Sequence, residues 1–418
     1  MNKLDSELIS SILTRSGHEI VSDMSKADVI FLNTCGVRDN AEQRIHGRIG
    51  ELQSLRREHP HIIFGVLGCM AQRLGGKLTS KTVRIVAGPD SYRRLPAMLD
   101  EVVSGAVVDR EFDEDETYDR IEPVRHSDKS AWVAVTRGCD NFCTYCIVPY
   151  TRGRERSVPM SDVLGEVQHL VDAGYREVTL LGQNVNSYRD GDTDFAEMLD
   201  RVAETGIPWV RFLTSHPKDL TANILDVMAS RDNVCNHLHL PLQSGSNRIL
   251  ARMNRRYTRE GYLGLVDEAR KRMPDINLST DVMFGFPGET DDDFADTIDI
   301  MKSVRYDFAF MYRYSEREGT RAVDMDGAVP EEIRIERLKK TIDMQNGIMF
   351  ERNRERVGLI ARVLLKGPSK DGKGWYGFSE ASIPVIVTAN GSRLEPGEFA
   401  TVRIESSTGA SLIGSAVE

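Results

Sequence analysis

Apolar positions in the first hundred residues follow two alternating patterns. DSELISSILTRSG carries them at helical spacing and predicts an amphipathic helix opened by an Asp5/Ser6 cap. ADVIFLNTC, HIIFGVLGC and TVRIVAGP are short apolar runs, the pattern of buried strands, and VRDNAEQRIHGRIGELQSLRRE between the first two reads as a long helix. This βα alternation predicts an α/β fold with a doubly wound parallel sheet over residues 1–106.

Farther along, strand-like runs become regular: WVAVTRG, EVTLLGQ, WVRFLTS, HLHLPLQ, INLSTDVMFGFP and DFAFMYRYS, with helical segments between them. Six βα units over residues 125–355 are too few for an eightfold barrel and predict a partial (β/α)6 barrel. Polar residues collect where the strands end, as Gln183 and Asn184, Ser215 and His216, and Gln243 and Ser244. That rim is where barrel enzymes build their chemistry. From residue 358 to 418, short alternating strands separated by Gly, Pro and Ser predict a small β-barrel.

Charge adds one boundary. The chain of 418 residues carries a net charge of −10, and DREFDEDETYDRIE alone holds eight acids against two bases. Residues 107–124 therefore read as an acidic, solvated linker, and the remainder is close enough to neutral to tolerate an RNA partner. The start has no apolar leader and no run approaches the roughly 18 apolar residues of a membrane span, so no membrane is expected and the compartment is a reducing cytoplasm.

The cysteines carry the chemistry. Three of the six fall in RGCDNFCTYC, as Cys139, Cys143 and Cys146. A chain this long does not need disulfide staples, and clustered cysteines in a reducing compartment point to metal or redox chemistry. Structural zinc wants four ligands, and no fourth Cys or His follows within twenty residues. Three thiolates suit a 4Fe–4S cubane with one iron left open for a substrate. Cys35 and Cys69 each end a predicted strand, the edge where open α/β sheets bind ligands; alone, each reads more readily as a small buried hydrophobe, and only the pair at equivalent strand ends makes a shared site as good a reading. Cys235 reads as a buried thiol. His237 and His239 share a strand face without the further spacing that zinc ligation needs.

C-x3-C-x2-C with an aromatic, Tyr145, before the last cysteine is the spacing of radical S-adenosylmethionine (SAM) enzymes. Together with GCDNFCTYCIVPYTRGRERS, LLGQNVNSY, FLTSHPKDL, HLHLPLQSGSNRILARMNRRYT and STDVMFGFPGET, it makes the whole chain resemble the methylthiotransferase family, in its MiaB-type tRNA branch. The resemblance implies a flavodoxin-like first domain, a radical-SAM barrel and a C-terminal TRAM β-barrel. It implies conversion of an isopentenylated adenosine, 3′ of the tRNA anticodon, to its 2-methylthio form. The alternatives are a relative acting on threonylcarbamoyl-adenosine or on a ribosomal-protein aspartate, and, in another class, a non-catalytic RNA-binding protein.

The family also implies two 4Fe–4S clusters and SAM. Cys139, Cys143 and Cys146 would ligate the catalytic cluster, and Cys35 and Cys69 would hold an auxiliary one. Tyr145, Gln183, Asn184, Ser215, Gln243, Asp281 and Arg255 would surround SAM or substrate. Partners implied are a tRNA anticodon stem-loop, an electron donor such as flavodoxin or ferredoxin and a sulfur source, with the enzyme itself a monomer. For RNA phosphates the expected contacts are Arg152, Arg154 and Arg156, which alternate after the cysteines, and Lys370 and Lys373 in the loop GPSKDGKGWYG beside Trp375 and Tyr376. The terminal barrel is expected to add RNA affinity without touching SAM cleavage. MNKLDSE resembles the end of a family block that brings a third auxiliary cysteine and a strand before Met1, so sulfur insertion by the chain as it stands is in doubt.

Overall fold

The computed structural model describes residues 1–36, 39–125, 129–370, 372, 374–389 and 394–417, without the side chains of 39–43 and 46. The chain forms two compact units. The first comprises Met1–His126, Ala134–Asp162 and Arg317–Val323; the second comprises Ser127–Val133, Val163–Glu316 and Asp324–Glu418.

The first unit opens with α1 (Asn2–Arg15), which buries Leu4, Leu8, Ile9, Ile12 and Leu13. Asp5, expected to cap this helix, does not: the N-cap is Met1 without a side-chain hydrogen bond, and Asp5 is wholly buried inside the helix. Strand β1 (Val29–Thr34), helix α2 (Asp39–Glu58), β2 (Ile63–Gly68), helix α3 (Cys69–Leu74), β3 (Val83–Ala87), helix α4 (Leu95–Glu101) and β4 (Val107–Asp109) follow. The four strands are parallel in the order β1-β2-β3-β4. Val66, Met70, Ala71, Leu78, Val83 and Val86 pack one core beside the sheet; Leu52, Ile62 and Phe64 pack another. The order contains no reversal among the described residues, so the switch point of a flavodoxin-like sheet is not seen in it.

The acidic stretch is not a free linker. Its first residues form β4, where Asp109 pairs with Arg94. Glu116 accepts from Arg93 Nε at 2.6 Å, and buried Tyr118 stacks on Tyr92 with centroids 5.5 Å apart. An ion pair and an aromatic pair hold what composition alone marks as solvated.

Beyond β5 (Ser130–Ala134), a two-stranded antiparallel ribbon, β6 (Thr136–Arg137) and β7 (Arg156–Ser157), belongs to the first unit. It closes the base of the loop that carries the three cysteines, with helix α5 (Val148–Arg152) inside that loop.

In the second unit, β8 (Glu177–Leu181) leads through a short hairpin, β9 (Arg189–Asp190) and β10 (Thr193–Asp194), to β11 (Trp209–Phe212). One three-stranded sheet has the order β11-β8-β5. A second, parallel sheet joins β12 (His237–His239), β13 (Asn277–Phe284) and β14 (Phe308–Arg313). A parallel bridge from Val210 to Val234 runs just ahead of β12. Strands β15 (Ile360–Pro368), β16 (Trp375–Ser379), β17 (Pro384–Thr388), β18 (Phe399–Ser407) and β19 (Leu412–Ala416) form a closed barrel in the order β15-β16-β17-β19-β18. Its core is Val363, Leu365, Val385, Val387, Val402, Ile404 and Leu412.

This barrel is not an independent appendage. Leu364 and Phe399 complete a cluster with Trp209 and Cys235, and Trp209 meets Phe399 edge to face at 4.7 Å. Glu177 lies buried between Arg211 and Lys366, and Arg211 donates to the carbonyls of Ser379 and Glu380 and to Ser382 Oγ. The expectation that residues 358–418 add affinity alone therefore needs revision, because the second unit's core runs through them.

Candidate cysteine-rich active site

The cysteine loop is built on backbone constraints. Gly138 has φ +75°, and a Cβ there would lie 1.9 Å from the Arg154 carbonyl oxygen, so only glycine lets the two ends of the loop approach. Cys139 N–H donates to Gly153 O at 3.3 Å, and Cys146 N–H donates to Cys143 O at 2.9 Å. Between the first two cysteines Phe142 holds φ +47°, a left-handed conformation that a bulky residue adopts only when its surroundings impose it. Its ring carries the Arg154 guanidinium at 5.4 Å.

None of the six cysteines is in a disulfide. Cys139 and Cys143 are buried and Cys146 half-buried. Burial first, then the neighbouring cysteines, pushes the Cys139 thiol up to about 11 and the Cys146 thiol up to about 12. Among the described residues no three His, Cys, Asp or Glu side chains converge on a point that a single ion could occupy. Three thiolates on one loop suit a cubane, where each binds a different iron. The donor set fits the cluster: three sulfurs, all supplied by one loop.

Cys35 and Cys69 belong to the same unit. Thr34 and Gly68 are register partners in the parallel pair β1–β2, so the two cysteines follow adjacent strands at equivalent positions. A Cβ added to Gly36 would sit 3.2 Å from the Cys69 Cβ, which shows how closely these strand ends approach. Helix α3, headed by Cys69, packs against α5 of the cysteine loop. Arg317 Nη1 donates to Gly36 O at 3.0 Å and lies near enough to Cys146 to favour its thiolate. Five cysteines thus share one compact unit.

The three alternating arginines divide. Arg154 is exposed and pairs with Asp140 at 2.9 Å. Arg152 is buried, with Nη2 2.6 Å from Asp5 Oδ2 and Nε 3.2 Å from Cys69 Sγ. Arg156 spends both terminal nitrogens on Asp90, at 3.0 and 3.1 Å, and its side chain is only 9% exposed. The expectation that all three face phosphate is therefore corrected for Arg152 and Arg156, whose charges are taken up internally. In the terminal barrel Lys370 is exposed, and Lys373 lies outside the described residues. Trp375 begins β16 and packs against the barrel core, so it is not the loop aromatic expected for stacking.

The polar rim belongs to the second unit and is described by itself. Gln183 and Asn184 follow β8, Ser215 and His216 follow β11, and Asn184 Nδ2 donates to Asp219 at 2.7 Å. Thr214 (φ +67°) and Gln243 (φ +64°) are left-handed, and Gln243 N–H donates to Asp281 O at 2.7 Å. Asp281 lies 3.5 Å from His239 Nε2, and both His237 and His239 reach Ser279 Oγ at 2.9 Å. Arg255 is buried rather than in a surface pair: it bonds Pro241 O at 3.1 Å and Tyr257 Oη at 3.0 Å. Tyr145, in the first unit, is half-buried.

Buried Gln183 Oε1, Ser215 Oγ and His216 Nε2 have no hydrogen-bond partner among the described residues. Leaving such atoms unpaired costs about 1–3 kcal/mol each, so the rim is built for groups that a small polar molecule supplies. Burial lowers His216 to about 2, which keeps it neutral. Its Nδ1 accepts from Lys218 N–H, so Nε2 carries the proton and is a donor in search of an acceptor. The donor and acceptor mixture fits the amino and carboxylate groups of SAM.

Comparison with known proteins agrees with this geometry. The Radical SAM superfamily matches residues 133–301, and Uncharacterized protein family UPF0004 matches residues 1–88. The tRNA-2-methylthio-N(6)-dimethylallyladenosine synthase of Chloroherpeton thalassium is 45% identical, covering 100% of this chain and 94% of the relative. The synthase of the same name from Parabacteroides distasonis is 44% identical over 100% of this chain and 93% of its own. The chain belongs to the radical-SAM tRNA methylthiotransferase family.

Among solved structures, the radical SAM methyltransferase TsrM of Kitasatospora setae has a TM-score of 0.54 at 14% identity, covering 74% of this chain and 69% of that one. The cobalamin-dependent SAM radical enzyme OxsB has a TM-score of 0.52 at 14% identity, covering 81% and 53%. These likenesses carry the fold alone. Within the methylthiotransferase frame, sequence reasoning noted His216 as a strand-end polar residue without giving it a role, and it missed Asp5 and Arg317 as parts of the site. Asp5 and Arg317 lie far from the cysteines along the chain and had no local signal.

Proposed function

We infer that this protein is a tRNA methylthiotransferase that converts N6-dimethylallyl-adenosine, next to the anticodon, to its 2-methylthio derivative. The observation that carries the reading is five cysteines in one compact unit, three on a C-x3-C-x2-C loop and two at adjacent strand ends. A 4Fe–4S cluster on Cys139, Cys143 and Cys146 supplies, when bound, the electron that cleaves SAM to a radical able to break an unactivated C–H bond. Gly138 and the β6–β7 ribbon hold the ligand loop in shape. Tyr145, Gln183, Asn184, Ser215, Gln243, Asp281 and Arg255, joined by His216, present hydrogen-bond and stacking groups to cofactor and substrate. Cys35 and Cys69 are ligands of the auxiliary cluster.

The same reading assigns the two three-stranded sheets to one partial (β/α)6 barrel over 125–355, residues 1–106 to the family's flavodoxin-like domain and residues 358–418 to a TRAM barrel. Arg154, with Lys370 and Lys373, meets the anticodon stem-loop. A flavodoxin or ferredoxin delivers electrons, a separate sulfur source resupplies the auxiliary site, and the enzyme works as a cytoplasmic monomer. No helix among the described residues is long and apolar enough to cross a membrane.

Anaerobic reconstitution tests the assignment. The wild-type chain should bind about eight irons, cleave SAM under reduction and methylthiolate tRNA that carries the dimethylallyl group, with no activity on threonylcarbamoyl tRNA. Cys143→Ala should abolish SAM cleavage. Cleavage retained in that variant overturns the ligand assignment, and product formed only on threonylcarbamoyl tRNA overturns the substrate.

A further inference from the structure

The first unit contains a buried charge imbalance that the proposed reaction does not by itself require. Asp5 is fully buried, and two guanidinium groups close on it: Arg152 Nη2 at 2.6 Å and Arg137 Nη2 at 3.3 Å. Arg137 is equally inaccessible, donating Nε–H to Thr117 O at 3.2 Å and lying 4.5 Å over the Tyr118 ring. One buried carboxylate thus faces two buried cations. A buried guanidinium N–H left without an acceptor is costly, so the Arg152 Nε–H that Asp5 does not take needs one.

Among the described residues, Arg152 Nε finds Cys69 Sγ at 3.2 Å. Asp5 is the carboxylate that pairs with both arginines there. Tyr92, beside them and wholly buried, is held as the neutral phenol, because burial and then Asp5 raise it well above its usual range. Cys69 Sγ, in line with the Arg152 Nε–H, is the acceptor the geometry supplies.

We propose that Arg152 is a positioning residue for the Cys69 sulfur: Asp5 and Arg137 hold its guanidinium so that Nε–H is aimed at the Cys69 Sγ at the end of β2. This rests on the reading of Cys35 and Cys69 as auxiliary-cluster ligands. The device also explains why the arginine sits at the end of α5, six residues beyond Cys146. The segment that carries the catalytic cysteines thereby supplies the hydrogen bond that secures the auxiliary one, and the two sites are assembled by one piece of chain. Partners of this kind around metal ligands typically contribute 10- to 100-fold in metal affinity.

The test isolates the auxiliary cluster in a Cys143→Ala background and reads iron, not turnover. With Arg152 intact, this protein should retain one cluster of about four irons. Arg152→Lys, which keeps the charge beside Asp5 but loses the Nε–H, should surrender that iron to a chelator roughly tenfold faster. A double variant, Asp5→Leu with Arg152→Met, removes one charge of each sign from the pocket and guards against simple unfolding; it should lose iron at least as fast. Asp5→Asn, which frees Arg152 from its anchor, should move the rate in the same direction. The reduction potential of the retained cluster should fall, because N–H···S bonds favour the more negative, reduced state. Unchanged iron loss and potential in Arg152→Lys and in the double variant overturn the proposal. If the Cys143→Ala protein with Arg152 intact holds no iron, the auxiliary-site reading falls first and the proposal with it.

Discussion

Each unit holds a buried carboxylate between two cations, and the Asp5 and Glu177 sets end differently. In the second unit Glu177 sits between Arg211 and Lys366, and the spare donors of Arg211 go to the oxygens of Ser379, Glu380 and Ser382. In the first unit Asp5 sits between Arg137 and Arg152, and the spare donor of Arg152 meets a cysteine sulfur. In both sets burial alone would raise the carboxyl pKa, and the cations outweigh it and hold the group below its ordinary value. The difference lies in what the leftover guanidinium nitrogens find. Oxygen acceptors close the Glu177 set into a joint between sheet and terminal barrel. Sulfur leaves the Asp5 set open to chemistry.

The largest effect should come from cutting the closed set. Removing residues 358–418 strips Leu364 and Phe399 from Trp209 and Cys235 and leaves Arg211 facing water. The expected outcome is a misfolded second unit with red-shifted Trp fluorescence and no SAM cleavage, where a detachable RNA module would leave both intact. Next comes Arg211→Ala, which leaves Glu177 with Lys366 alone and should cost about 3–5 kcal/mol in urea unfolding followed by fluorescence.

The open set should respond more gently, and to acid. The Asp5 carboxyl is held below its usual range, so its stabilisation is complete above the unfolded value of about 4 and is lost as pH falls through the folded one. Asp5→Asn should flatten the acid limb of the pH–stability curve and lower stability near neutrality; an unaltered limb would show that the buried pair contributes nothing.

The smallest effect concerns RNA. Arg154→Ala should reduce the slope of log affinity against log salt by about 0.7–0.9, the signature of one lost phosphate contact. Arg156→Ala should leave that slope unchanged while lowering thermal stability, since it orphans buried Asp90. Equal slopes for both variants would erase the distinction drawn between the exposed and the internal arginine.

Local pattern was enough to read much of this protein. Apolar runs placed β1, β2 and β3 to within a few residues; β2 and β3 are buried along nearly their whole length and have to be apolar throughout, and half-buried β1 keeps the same apolar run. The grouping of Cys139, Cys143 and Cys146 was legible because all three fall within one short loop. Cys35 and Cys69 were legible as strand ends. Long-range charge pairing was not legible. TRGRERS shows three arginines of equal rank, and only the fold decides that Asp5 and Asp90 claim two of them and leave Arg154 in solvent. The acidic segment looks solvated in sequence, yet Arg93 and Tyr92 lie where Glu116 and Tyr118 can use them. Composition records how many charges a segment carries. Which of them are neutralised inside depends on partners a hundred residues away, and tertiary packing alone brings those together.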